Sequence, residues 1–130
     1  NFITDGDVLG VLSVADPKNN IDMYIGIGGG PEGVIAAAAL TCLNCQMQAR
    51  LVLQNEDEIN RAKKIGIKDL KKKYIINDMV KGDVIFSATG VTDGSFVKGI
   101  ADLNDSFSAE TLLLHKSSKT NKIIKNKLKK

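Results

Sequence analysis

The stretch Met23-Tyr24-Ile25-Gly26-Ile27-Gly28-Gly29-Gly30-Pro31-Glu32-Gly33 decides how the rest of the chain is read. Its first five residues form a short apolar run giving way to glycines, which fits a buried strand. Pro31 fits the first turn of a helix, where its missing N–H costs nothing. The glycines between let a ligand approach the backbone closely, and the helix start beyond them aims free N–H groups at an oxyanion. Read as a spacing, Gly28-x-Gly30-x-x-Gly33 matches the dinucleotide fingerprint and points first to a Rossmann-like nucleotide-binding module. Glu32 argues against it, because a carboxylate facing a pyrophosphate repels it. A divalent cation between the two removes the conflict, since Mg²⁺ takes one or two carboxylates plus phosphate oxygens. The acid that spoils a nucleotide site suits a metal-assisted phosphatase. Spacing alone also allows Glu32 merely to complement the helix dipole.

Outward from this stretch, strands and helices alternate. Residues 34–43 are Ala-rich and apolar throughout, predicting a helix buried on most sides. Residues 46–53 read as the next strand. Asn55 followed by Glu56, Asp57 and Glu58 is a cap with acids in the first turn, and that helix runs to about Ile65 and stops at Gly66. Residues 69–73 suggest a short charged turn or helix, and 76–80 another brief helix. Residues 83–89 give the clearest strand, followed by the loop Gly90-Val91-Thr92-Asp93-Gly94. Two further strands are expected at 111–115 and around 122–124. The pattern predicts an α/β fold, layered, with a largely parallel or mixed sheet flanked by helices.

Bulk properties narrow the function. A chain of 130 residues with 43% hydrophobic and 25% charged residues can bury a core of its own. No apolar run approaches the roughly 18 residues of a membrane span, and no basic start with an apolar stretch marks a secretory signal. Phe2-Ile3-Thr4 is already extended and runs straight into charged chemistry, so more protein is expected upstream of Asn1. The net charge of +3 is uneven: residues 116–130 hold seven Lys and no acid, leaving 1–115 at −4. The uniform basic face of a nucleic-acid binder is therefore missing. We divide the chain into a sugar- and metal-binding part, 1–115, and a final strand with a basic, solvated and frayed tail, 116–130. Cys42 and Cys45 have C-x-x-C spacing, but they fall at the end of a helix, where the dipole does not lower a thiol pKa. With His115 the only histidine, a zinc site lacks its second ligand pair. Reduced cysteines in a cytoplasmic core are the expectation.

Two more segments are candidate sites. Asp5-Gly6-Asp7 places two carboxylates where both could face one ligand, accepting from sugar hydroxyls or helping to hold a metal; a plain Asp-Gly-Asp turn fits as well. Thr89-Gly90-Val91-Thr92-Asp93-Gly94 follows the strongest strand, at a sheet end of the kind where ligands bind, and it too reads equally as a plain turn.

At this point the residues resemble a known family, class II fructose-1,6-bisphosphatase of the inositol-monophosphatase-like superfamily. The similarity lies in Asp5-Gly6-Asp7-Val8, in residues 22–34 around the glycine loop, and in Gln46-Met47-Gln48-Ala49-Arg50-Leu51. It continues through Arg61-Ala62-Lys63-Lys64-Ile65-Gly66-Ile67-Lys68-Asp69 and from Gly82-Asp83-Val84-Ile85-Phe86 to Gly94-Ser95. It covers residues 3–100 almost without gaps and weakens beyond Gly99 to Thr111, Leu112, Lys116-Ser117 and Thr120. Residues 101–109 lack the glycines expected there, and the Lys-rich tail is foreign to the pattern.

The resemblance implies the C-terminal half of a sugar-phosphatase fold and hydrolysis of the 1-phosphate of fructose 1,6-bisphosphate, with Mg²⁺ or Mn²⁺ as cofactor. Sedoheptulose 1,7-bisphosphate and inositol phosphates are alternative substrates. It assigns Asp5, Gly6, Asp7 and Gly29 to the sugar phosphate and Glu32 to a metal, which agrees with the electrostatic reading of Glu32. The remaining metal carboxylates and the groups that position water are expected upstream of Asn1, so the 130-residue chain alone should be inactive. A cytoplasmic gluconeogenic enzyme is implied, homo-oligomeric at full length, with a sugar bisphosphate as partner and neither nucleic acid nor membrane.

Overall fold

The computed structural model describes residues 7–130. Helix α1 (Asp7–Ser13) opens the described chain, followed by a single 3₁₀ turn at Pro17–Asn19. Helix α2 (Gly30–Cys42) comes next. A small unit then holds β1 (Gln48–Arg50), α3 (Glu56–Lys64), β2 (Lys73–Ile75) and α4 (Ile76–Met79). The C-terminal third is β3 (Ile85–Thr89), β4 (Ala101–Leu103), β5 (Ser106–His115) and β6 (Thr120–Lys129).

The α/β class holds, with a correction to the direction of its strands. Every ladder among the described residues is antiparallel: β1 with β2, β3 and β4 with β5, and β6 with β5. For β5 and β6 the reason lies at residues 116–119, a tight turn with Lys119 at φ 53°, which folds β6 straight back along β5. The register runs from His115↔Thr120 to Ser106↔Lys129 without a break. The Lys-rich end is thus a fully paired outer strand rather than a frayed tail. Its lysines are solvated as expected, and charge on an outer strand discourages further pairing.

Residues 23–27 are not a strand. Met23, Ile25 and Ile27 are 71%, 82% and 79% exposed. They alternate as in a strand, but they belong to neither sheet of the described residues. Helix α2 is also less enclosed than its composition predicts. Ala36, Ala37, Ala39 and Leu40 form its buried face, while Val34 and Ile35 are exposed. The alanines let α2 lie close to α1 and β3. The expected strand over 46–53 shortens to β1.

Helix α3 forms as its sequence dictates. The Asn55 side chain accepts from the Glu58 amide at 2.9 Å, acids fill the first turn, and Arg61, Lys63 and Lys64 fill the last. Gly66, at φ 93°, follows it in the left-handed conformation that glycine tolerates. The core sits between α1, α2 and one face of the β3–β5 ladder, and joins Leu12, Ala39, Phe86, Val97, Leu112 and Leu114. No helix of the described residues is long and apolar enough to cross a membrane.

Candidate functional site

The glycine loop keeps its predicted helix start. Gly29 is the N-cap of α2 with extended backbone, its carbonyl accepts from the Gly33 amide at 3.0 Å, and Pro31 sits in the first turn. Glu32 follows in that same turn, and its side chain folds back over Gly29. A Cβ built on Gly29 would collide with the Glu32 Oε2 atom. The structure therefore brings together Gly29 and Glu32, two residues singled out from the sequence. Glu32 leaves its carboxylate exposed at the end of α2, where hard oxygen donors suit Mg²⁺ or Mn²⁺. Among the described residues no three acids, histidines or cysteines come close enough to form a metal cluster.

Asp5 and Gly6 lie outside the described residues. Asp7 is the first residue of α1. α1 packs against α2 and carries Leu9 and Leu12 toward the core.

The third candidate, the loop after β3, is tightly built. The Gly90 amide donates to the Glu110 carbonyl at 3.0 Å, and the Lys98 amide donates to Glu110 Oε2 at 2.9 Å. The Asp93 carboxylate takes the Gly99 amide at 2.9 Å. Glu110 was invisible as a site residue in the sequence, because only the β3–β5 register brings it beside Gly90. Its carboxyl is held below the usual carboxylate range, first by the Lys98 amide and then by Lys125.

A second network was also missed. Asp83 Oδ2 lies 2.8 Å from His115 Nε2, and His115 Nδ1 lies 2.8 Å from Ser118 Oγ. The amides of Val84 and Ser117 donate to Asp83 Oδ1 at 3.0 and 3.1 Å. The Ser117 side chain, then His115, hold the Asp83 carboxyl far below its ordinary range. An ionised Asp83 only accepts, so His115 Nε2 carries the proton between them. The network ties the β5–β6 turn to the entry of β3. The only sequence hint was His115 ending an apolar run.

Both cysteines are free and half-buried. The Cys42 thiol donates toward the Val84 carbonyl at 3.5 Å, and burial pushes its pKa up, which suits a packed thiol rather than a reactive one.

A family model described as bacterial fructose-1,6-bisphosphatase, glpX-encoded, matches residues 1–128. The class 2 fructose-1,6-bisphosphatase of Haemophilus influenzae is 39% identical over 91% of this chain. That of Escherichia coli K12, named fructose-1,6-bisphosphatase 1 class 2, is 36% identical over 91%. A Synechococcus protein named D-fructose 1,6-bisphosphatase class 2/sedoheptulose 1,7-bisphosphatase is 36% identical over 92%. The chain spans 38–39% of the length of these relatives. The family model spans the glycine loop, β1, α3 and β3, and the chain belongs to the glpX-encoded bacterial fructose-1,6-bisphosphatase family.

Proposed function

We propose that this chain supplies the sugar-binding and metal-completing part of a phosphatase that hydrolyses the 1-phosphate of fructose 1,6-bisphosphate, as in gluconeogenesis. The observation that carries it is the packing of Glu32 over Gly29 at the α2 start. Gly29, lacking a Cβ, lets the Glu32 carboxylate lie against the backbone at a helix N-terminus, the kind of place where a phosphate oxygen binds. Glu32 presents a carboxylate at the same spot, where Mg²⁺ or Mn²⁺ would be held between acid and phosphate. When bound, such an ion supplies charge neutralisation and an activated water. Asp5, Gly6 and Asp7 take the sugar hydroxyls as acceptors, and the general acid–base groups come from outside this chain.

Fructose bisphosphate is the first choice of substrate because the family model and the Haemophilus and Escherichia relatives carry that name. The Synechococcus name favours sedoheptulose 1,7-bisphosphate as a second substrate of the same site. The test is a graft in which residues 1–130 replace the matching segment of the Haemophilus influenzae relative. The graft should release phosphate from fructose 1,6-bisphosphate with Mg²⁺ or Mn²⁺, and Glu32→Gln should cut turnover by about 100-fold or more and weaken metal activation. Normal activity in that variant would remove the metal role. The 130-residue chain by itself should release none, since one carboxylate does not make a metal site.

A further inference from the structure

The loop from Gly90 to Ile100 is closed on itself and pressed against α1. Glu110 reaches both of its sides, accepting from Gly90 through its carbonyl and from Lys98 through its carboxylate. The second carboxylate oxygen is held by Lys125 of β6 at 3.0 Å, and the Glu110 side chain is only 14% exposed. Across the loop, Asp93 takes the Gly99 amide, and the Ile100 amide donates to the Val91 carbonyl at 3.1 Å. The two sides meet backbone to backbone. A Cβ on Gly90 would collide with the Lys98 carbonyl, and one on Gly99 would come within 2.6 Å of the Thr92 backbone. Such a loop cannot relax without losing several bonds together.

What the loop lies against is the side of α1. Val97, at its tip, is buried in the cluster that contains Leu12. A Cβ on Gly94 would lie 3.7 Å from Leu9 Cδ1. Leu9 and Leu12 are three residues apart, on one face of α1, so the loop supports that helix along its side. Asp7 is the first residue of this helix.

We propose that Glu110, assisted by Asp93, is a positioning residue for sugar binding: it holds loop 90–100 against α1 and so fixes the backbone from which Asp7 departs. The inference rests on the sugar-binding reading of Asp5-Gly6-Asp7 given above. Glu110 touches no substrate; it acts through the loop and α1. Glu32 departs from a different element, so its metal role is unaffected.

The test uses Glu110→Ala and Glu110→Gln in the graft. Glu110→Ala should raise KM for fructose 1,6-bisphosphate about tenfold with kcat and metal activation nearly unchanged. Glu110→Gln keeps an oxygen for the Lys98 amide and should stay near the parent KM. A fall in kcat at constant KM is what a smaller folded fraction gives, and it overturns the positioning role. On the 130-residue chain itself, Glu110→Ala should speed amide exchange in the loop and at residues 11–13 about tenfold while α3 keeps its protection. Unchanged exchange in α1 overturns the proposal whatever the graft does. An inactive parent graft counts against the phosphatase reading instead, so the two failures are separable.

Discussion

Residues 21–33 and residues 106–129 both carry hydrophobic runs flanked by polar chemistry, yet they end in opposite states. The hairpin β5–β6 is paired along its whole length and buries Leu112 and Leu114. The segment before the glycine loop joins neither sheet of the described residues, and Met23, Ile25 and Ile27 lie in solvent. The difference is one of neighbours rather than composition. A hairpin supplies its own partner through a short turn, so its backbone groups are satisfied locally. A strand flanked by glycines must borrow its neighbours from distant sequence. Apolar pattern therefore reports what a segment can do; topology decides whether it does.

The comparison breaks most visibly in the core of the paired region. Leu114 is 1% exposed and packs in the cluster with Leu12 and Phe86. Leu114→Ala should cost about 2–5 kcal/mol of unfolding free energy, because the transfer term and the cavity left behind add. Urea denaturation of the 130-residue chain measures it, and a loss below 1 kcal/mol would show this ladder is not where stability resides. Gly90→Ala should cost less, about 1–3 kcal/mol, as the loop shifts to relieve contact with the Lys98 carbonyl.

Acid should loosen the hairpin. Asp83, Asp78 and Glu110 all hold their protons less tightly when folded than their ordinary values. A carboxyl whose folded pKa is lowered adds stability that is complete above its unfolded value and is lost as pH falls through the folded one. Stability should therefore hold near neutrality and decline below about pH 4. Asp83→Asn should flatten that decline, read as the urea midpoint against pH. A slope identical to that of the parent would mean that the Asp83–His115 contact does not hold the β5–β6 turn.

Much of the fold was legible where the cause is local. Asn55 with its three acids gave α3, residues 83–89 gave β3, and Pro31 after the glycines gave the start of α2. What escaped was long-range. Nothing near Glu110 in sequence says that it will face Gly90 and Lys98, since residue 98 lies 12 positions away and the contact exists only through the β3–β5 register. A largely parallel or mixed sheet was expected because strands and helices alternate, but the 116–119 turn and the antiparallel β1–β2 pair override that pattern. Of the site, the Gly29–Glu32 contact was legible because it spans a single helical turn. The sugar role of Asp5-Gly6-Asp7 came only from the resemblance, since two carboxylates around a glycine fit a turn equally well.

The smallest expected effect sharpens the contrast from the other side. Ile25 is 82% exposed, in a segment whose apolar face meets no strand among the described residues. Ile25→Ser should therefore shift the unfolding free energy of the 130-residue chain by no more than about 0.5 kcal/mol, the range of surface substitutions away from special features. The same exchange at Leu114, in the paired region, would remove a larger apolar contact and leave a hydroxyl without a partner. Measured side by side, the two separate hydrophobic pattern from hydrophobic burial. A loss above 1 kcal/mol at Ile25 would mean that this segment is buried in solution, and that the glycine loop leaves a paired strand as its sequence predicts.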